Sequence, residues 1–215
     1  MLNNISFLTV YFYTILAFLG FFQYNTEKGE RLMERFAVID TETNWSDQVM
    51  SIGTVIADAA AFQPIDAKYH VLTPEYQVGG MYSDTLFSGR HLQPLICRRK
   101  EAIDDLAAWF ASYNIRRVFA YKACFDRNHL PELRSFDWYD IMRLAAYKQY
   151  NHKIPDNAPC CATGRLKRGY GVEPMLRLLS GVASYHETHN ALYDAVDELK
   201  IMQLLEHPLN AYTKI

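Results

Sequence analysis

The sequence predicts an α/β domain with a central mixed β-sheet of about five strands, flanked by helices. Three observations lead there. Apolar, β-branched runs at 36–39 and 49–57 sit either side of a polar turn, Asn44 to Gln48, and a shorter run follows at Tyr69 to Leu72. That is the pattern of an antiparallel meander. The stretch Arg98 to Tyr113 carries Ile103, Leu106, Ala107 and Phe110 at helical spacing. The apolar run Arg117 to Tyr121 comes directly after it, the order of a helical crossover into a parallel strand. With 215 residues, half of them hydrophobic and 21% charged, the chain can build one domain with a sizeable core.

The first strand is expected at Phe36 to Thr43, where four apolar residues lead into Asp40 and Glu42. The second is expected at Val49 to Ala57 and the third at Tyr69 to Leu72. Pro74 to Pro94 is rich in Gly, Ser, Tyr and Pro and reads as an irregular surface excursion; its aromatics Tyr76, Tyr82 and Phe87 suit packing as well as function. A short helix is expected over Arg127 to Leu133, opened by Asp126. Asp137 to Tyr150 is expected to be helical, from Ile141, Leu144, Ala145 and Lys148. Asp156 to Gly171 reads as a loop whose Arg165, Lys167 and Arg168 suit either a phosphate backbone or plain solvent exposure. Glu173 to Ser180 is a short helix stopped by Gly181. Asn190 to Leu205 is an amphipathic helix ended by His207-Pro208.

Residues 1–32 stand apart from the domain expected over residues 33–215. Ile5 to Phe22 is uncharged and almost wholly apolar, slightly short of the roughly 20 residues that span a bilayer. It lacks the basic flank of a secretory signal. The preferred reading is an untranslated leader. The core strand begins three residues after Met33, and Lys28-Gly29-Glu30 can be encoded by a purine-rich ribosome-binding sequence of bacterial type. A membrane anchor is the alternative, and with Met33 as the start no membrane partner is expected.

The formal net charge is -2, so no basic excess announces nucleic acid. Divalent cations at an acidic site would more than offset it. Cys97, Cys124, Cys160 and Cys161 form no Cys-x-x-Cys pair, and the seven histidines show no zinc spacing relative to them. Free thiols in a reducing cytoplasm are expected. Cys124 is expected to be buried, since it lies in an apolar stretch.

Strand side chains alternate faces, so Asp40 and Glu42 project to the same side. Two adjacent carboxylates repel unless a cation lies between them, which points to a divalent metal. The plainer reading is a strand ending in a polar turn. Two further acidic residues have equally plain readings. Asp126 follows the strand Arg117 to Tyr121 and suits a helix N-cap. Asp194 lies in the first turn of the last long helix, where acidic residues are favoured.

Taken in order, Asp40-x-Glu42, Phe125-Asp126 and His189-x-x-x-x-Asp194 resemble the three motifs of the DEDD 3′–5′ exonucleases of the RNase T and DNA polymerase III epsilon-subunit type. The resemblance runs from Glu34 to about Glu206. His189, five residues before Asp194, marks the histidine branch; the tyrosine branch would need Tyr at position 190, which is Asn. Members of the family often have His-Asn where this chain has Tyr121-Lys122.

The resemblance implies a ribonuclease-H-like fold and a two-metal-ion 3′–5′ exonuclease that releases nucleoside 5′-monophosphates from single-stranded DNA or RNA 3′ ends. All four carboxylates are hard oxygen ligands, which favours Mg²⁺ or Mn²⁺. Carried over residue by residue, Asp40 bridges two ions, Glu42 and Asp194 complete the site of the attacking water, and Asp126 serves the second ion. His189 is the expected general base, since an imidazole titrating near ~6.5 accepts a proton at neutral pH. Trp45 is a candidate for base stacking or for packing on the domain edge. Thr43 and Asn44 are expected near the terminal nucleotide, and Lys122 near a phosphate or in solvent. Two alternatives remain, a non-catalytic nucleic-acid-binding domain of the same fold and a membrane-anchored nuclease. The resemblance leaves a homodimer open, although no helix exposes a face that demands a partner.

Overall fold

The computed structural model describes residues 34–88 and 93–215. The expectations for residues 1–32 lie outside the described residues. Among those that are described, no helix is long and apolar enough to cross a membrane.

Among the described residues seven strands form one sheet: β1 (Arg35–Thr43), β2 (Val49–Asp58), β3 (Pro64–Leu72), β4 (Leu95–Cys97), β5 (Arg117–Ala120), β6 (Asp137–Asp140) and β7 (Thr213–Lys214). Their spatial order is β4-β3-β2-β1-β5-β6-β7. The pairs β1–β2, β2–β3 and β6–β7 are antiparallel, while β3–β4, β1–β5 and β5–β6 are parallel. Five α-helices accompany them among the described residues: α1 (Arg99–Ser112), α2 (Cys124–His129), α3 (Met142–Ala145), α4 (Val172–Ser180) and α5 (Ala191–Leu205).

The expected mixed sheet is present, with more strands than the five anticipated. β3 begins earlier than expected, at Pro64. The predicted helix over Asp137 to Tyr150 is corrected. Asp137–Asp140 is a strand, and only Met142–Ala145 is helical. Trp138 explains the difference. It is fully buried beneath the sheet, and its indole donates to the Leu133 carbonyl at 2.9 Å. Pairing with β5 fixes this segment as a strand, and that partner is invisible to a local helical pattern. The short helix expected over Arg127 to Leu133 starts earlier, at Cys124, and gives way to a 3-10 turn at Pro131–Leu133. Cys124 is exposed rather than buried, because it lies on the solvent side of that first turn.

The sheet is covered on both faces, and the alternation of β1 assigns its residues. Ala37 and Ile39 pack with Leu106 and Phe110 of α1 and with Trp138. Phe36 and Val38 pack with Met175 and Leu176 of α4 and with Ala191, Ala195 and Leu199 of α5. Asp40 and Glu42 continue the second register, so they emerge on the face that α5 covers.

One residue lets α5 lie there. Gly53 of β2 pairs directly with Asp40. A Cβ at position 53 would come within 2.1 Å of the Ala191 carbonyl carbon and oxygen. The helix start therefore rests on bare backbone, beside the strand that carries the acidic pair.

Candidate active site

Asp40 and Glu42 leave the end of β1 toward α5. Asp194 comes back from the first turn of α5 and is 3% exposed. The helix entry is anchored by Asn190. Its side-chain oxygen accepts from the Leu192 N–H at 3.2 Å, and its amide donates to the Tyr69 hydroxyl at 3.0 Å and the Thr85 carbonyl at 2.9 Å. Asn190 is thus an N-cap that also ties α5 to β3 and to the excursion after it.

Asp126 arrives from the other side of β1. It lies in the first turn of α2 and is 2% exposed, and it accepts a 2.7 Å hydrogen bond from the Thr41 hydroxyl. Its plain reading as a helix cap does not hold, since the helix begins two residues earlier and the side chain is bonded to β1.

His189 has a positive φ of 55°, which turns its side chain back toward the cluster. Its ring stacks on Tyr82, with centroids 4.0 Å apart and planes 15° from parallel. Its carbonyl accepts from the Thr85 hydroxyl. The excursion between β3 and β4 therefore supports His189, through the Tyr82 ring and the Thr85 hydroxyl. One ligand atom each from Glu42, His189 and Asp194 lie within 4.8 Å of one another.

The electrostatics are those of a site built for cations. Burial, followed by the charge of Glu187, raises the Glu42 carboxyl to about 8. Burial is also the first cause at Asp40, whose carboxyl is raised well above the usual range, with Glu198, Asp126, Asp194 and Glu42 adding to it. Asp194 is raised by burial and then by Glu187 and Asp197. At Asp126 burial again raises the carboxyl, against the opposing hydrogen bond from Thr41. Asp40 Oδ2 and Asp194 Oδ1 are buried with no hydrogen-bond partner. Buried carboxylate oxygens without donors are costly, and an oxygen-preferring divalent cation would satisfy them. The residues present fit Mg²⁺ or Mn²⁺.

Two acidic residues joined the cluster without a place in the sequence reading. Glu198 is 1% exposed and Glu187 is half-buried. The signal for Glu198 was available: it lies four residues after Asp194, on the helix face that also carries Ala191, Ala195 and Leu199. Thr41 was hidden because it points to the opposite face from Asp40.

The other candidate residues are distributed unevenly. Trp45 is 68% exposed in the β1–β2 turn, with one edge of its indole beside Gly79. Asn44 is buried. Its side chain accepts from the Ser46 and Gln48 N–H groups and donates to the Glu75 carbonyl, so it builds the turn. The Thr43 carbonyl lies against Gly80, where an added Cβ would be 2.7 Å away. Lys122 has a φ of 62°, and its ammonium lies 5.9 Å from the Tyr170 ring centroid. The Arg165 guanidinium lies 4.6 Å from the same centroid. Lys167 is exposed on the same loop.

No protein-family model and no curated protein sequence matches the chain. Solved structures do. The nuclease domain of 3′hExo, described as a DEDDh family member bound to rAMP, has a TM-score of 0.58 at 12% identity, with 87% of this chain and 98% of that one covered. A full-length 3′-exonuclease has a TM-score of 0.56 at 11% identity, covering 85% and 91%. E. coli Exonuclease I in complex with a dT13 oligonucleotide has a TM-score of 0.54 at 13% identity, covering 83% of this chain and 41% of that one. At these identities the likeness establishes the fold, a ribonuclease-H-like α/β architecture that the chain shares with these exonucleases.

Proposed function

We propose that the chain is a metal-dependent 3′–5′ exonuclease that hydrolyses single-stranded DNA or RNA ends to nucleoside 5′-monophosphates. One observation carries this reading. Ligand atoms of Glu42, His189 and Asp194 lie within 4.8 Å of one another, beside buried oxygens of Asp40 and Asp194 that lack donors. The solved exonucleases with rAMP and with an oligonucleotide support it, as does the order of the three motifs.

Asp40, Glu42, Asp126 and Asp194 would hold two divalent ions, Mg²⁺ or Mn²⁺, which when bound supply Lewis-acid stabilisation of charge developing at phosphorus. His189 takes the proton of the attacking water as the new P–O bond forms. The bond from phosphorus to the 3′ oxygen of the penultimate nucleotide breaks, and that oxygen is protonated from solvent. Tyr82 stacks on the imidazole and Thr85 donates to the His189 carbonyl, which together hold the ring beside Glu42 and Asp194. Trp45, exposed after the first motif, offers a face for a terminal base. Lys122 and Arg165, gathered around Tyr170, offer positive charge to the phosphate backbone.

The test uses 5′-labelled single-stranded DNA and RNA of matched sequence, with Mg²⁺, Mn²⁺ or EDTA, beside Asp40→Ala. The expected result is a ladder shortening from the 3′ end, dependent on metal and absent in the variant. A folded protein that cleaves neither substrate with either metal overturns the reading. The ratio of the two rates identifies the preferred nucleic acid.

A further inference from the structure

We infer that Glu198 is a fifth carboxylate of the metal centre, holding a divalent ion on the side of the cluster formed by Asp40 and Asp126. The inference rests on the proposed metal-dependent reading and goes beyond the four carboxylates that the sequence motifs supply.

Glu198 is four residues after Asp194 on α5, so both side chains leave the same face of the helix, one turn apart. That face is otherwise core: Ala195, Leu199 and Met202 pack against the sheet. Glu198 is 1% exposed, and its Oε2 has no hydrogen-bond partner. The Tyr121 backbone N–H at the end of β5 favours its charged form, against the burial that raises it. An acidic side chain has been carried into the core with an oxygen left unpartnered, where Leu or Met would pack without penalty.

Its neighbours say what it faces. Besides burial, the charges acting on Glu198 are those of Asp126, Asp194 and Glu187. Of the charges acting on Asp40, that of Glu198 comes first, ahead of Asp126, Asp194 and Glu42. Glu42, His189 and Asp194 converge on one another. Asp126 is held by Thr41, and Glu198 is buried one helical turn beyond Asp194. Affinity for a hard cation rises with the number of charged oxygen ligands and the rigidity of their setting, and Glu198 adds both to the Asp126 side.

The experiment is calorimetric titration of Mn²⁺ into the full chain without nucleic acid. The wild type is expected to take up two ions. Glu198→Gln, which preserves shape and removes the charge, is expected to keep one ion at unchanged affinity and weaken the other at least tenfold. Asp126→Asn should weaken the same ion, and the double variant should lose little more. Glu42→Gln should weaken the other ion. Melting followed by circular dichroism in EDTA checks the fold. If Glu198→Gln does not fold, Glu198→Leu, of similar volume, carries the same expectation. Two ions bound to Glu198→Gln as tightly as to wild type overturn the inference and leave the four-carboxylate reading standing. No ion bound to the wild type overturns both.

Discussion

Both faces of the sheet carry acidic side chains, partly exposed on one face and buried on the other, and they treat them in opposite ways. On the α1 face, Asp105 meets Lys68 at 2.6 Å and His70 at 2.8 Å. Burial alone would raise its carboxyl, but hydrogen bonds from Lys68 and His70 outweigh burial and hold it below the usual range. The Lys68 ammonium also lies 5.3 Å from the Trp109 ring centroid. On the α5 face, Asp40, Glu42, Asp194 and Glu198 are all raised, as is Asp126 at the sheet end beside them. The first arrangement has its counter-charge built into the chain. The second leaves that charge to be supplied from solution. A buried carboxylate is thus informative only together with its partners, and its missing partner identifies the ligand.

The largest expected effect separates the faces by activity. Asp194→Asn should lower metal-dependent hydrolysis by ~10³-fold or more, the scale of losing several kcal/mol of charge stabilisation. Asp105→Asn should leave the rate within about twofold while lowering the melting temperature. Equal loss of activity in both variants would erase the distinction. Next comes His189→Ala, expected to slow turnover by about 10²- to 10⁴-fold, the usual contribution of a general base. Titration calorimetry should show its Mn²⁺ uptake retained.

The faces should also differ in how metal and pH act on stability. Saturating Mg²⁺ at about 100 times its Kd should add about 2.7 kcal/mol, several degrees in Tm for a domain of this size. Asp194→Asn should lose most of that gain, and Asp105→Asn none. The signs of the pH effects are opposite. Glu42 has its carboxyl raised from 4.5 to about 8, so its contribution is fully present below about 4.5 and is lost as pH rises through about 8. Asp105 is lowered, so its contribution is present above its ordinary range and is lost as pH falls through its folded value. Melting in EDTA should therefore show Tm falling with rising pH above about 4.5, and Mg²⁺ should flatten that slope. The smallest expected effect is that of Trp45→Ala. It should raise KM for single strands by about tenfold, consistent with ~1–3 kcal/mol per stacked base, with Tm unchanged.

What was legible in the sequence follows from range. β1, β2 and β5 announce themselves by apolar runs, and α1 and α5 by helical spacing, because each signal lies within one element. β6 was missed because its Asp-Trp-Tyr-Asp becomes a strand through pairing with β5. The three-residue β4 and two-residue β7 likewise exist only as partners of β3 and β6. The motif order drew attention to Asp40, Glu42, Asp126, His189 and Asp194 together. Glu198 has no motif of its own within the amphipathic helix, and Tyr82 is one of several aromatics in an irregular stretch. Both acquire meaning from contacts across the fold, Glu198 through the end of β5 and Tyr82 through the His189 ring.

Gly53 carries a genetic consequence. What a side chain at position 53 would strike is the main chain of Ala191 and Leu192, atoms that every amino acid shares. No replacement of either residue can make room, so second-site suppressors on the helix are not available to a variant at this position. The centre can be inactivated there without altering any acidic residue, and reversion would have to restore glycine itself.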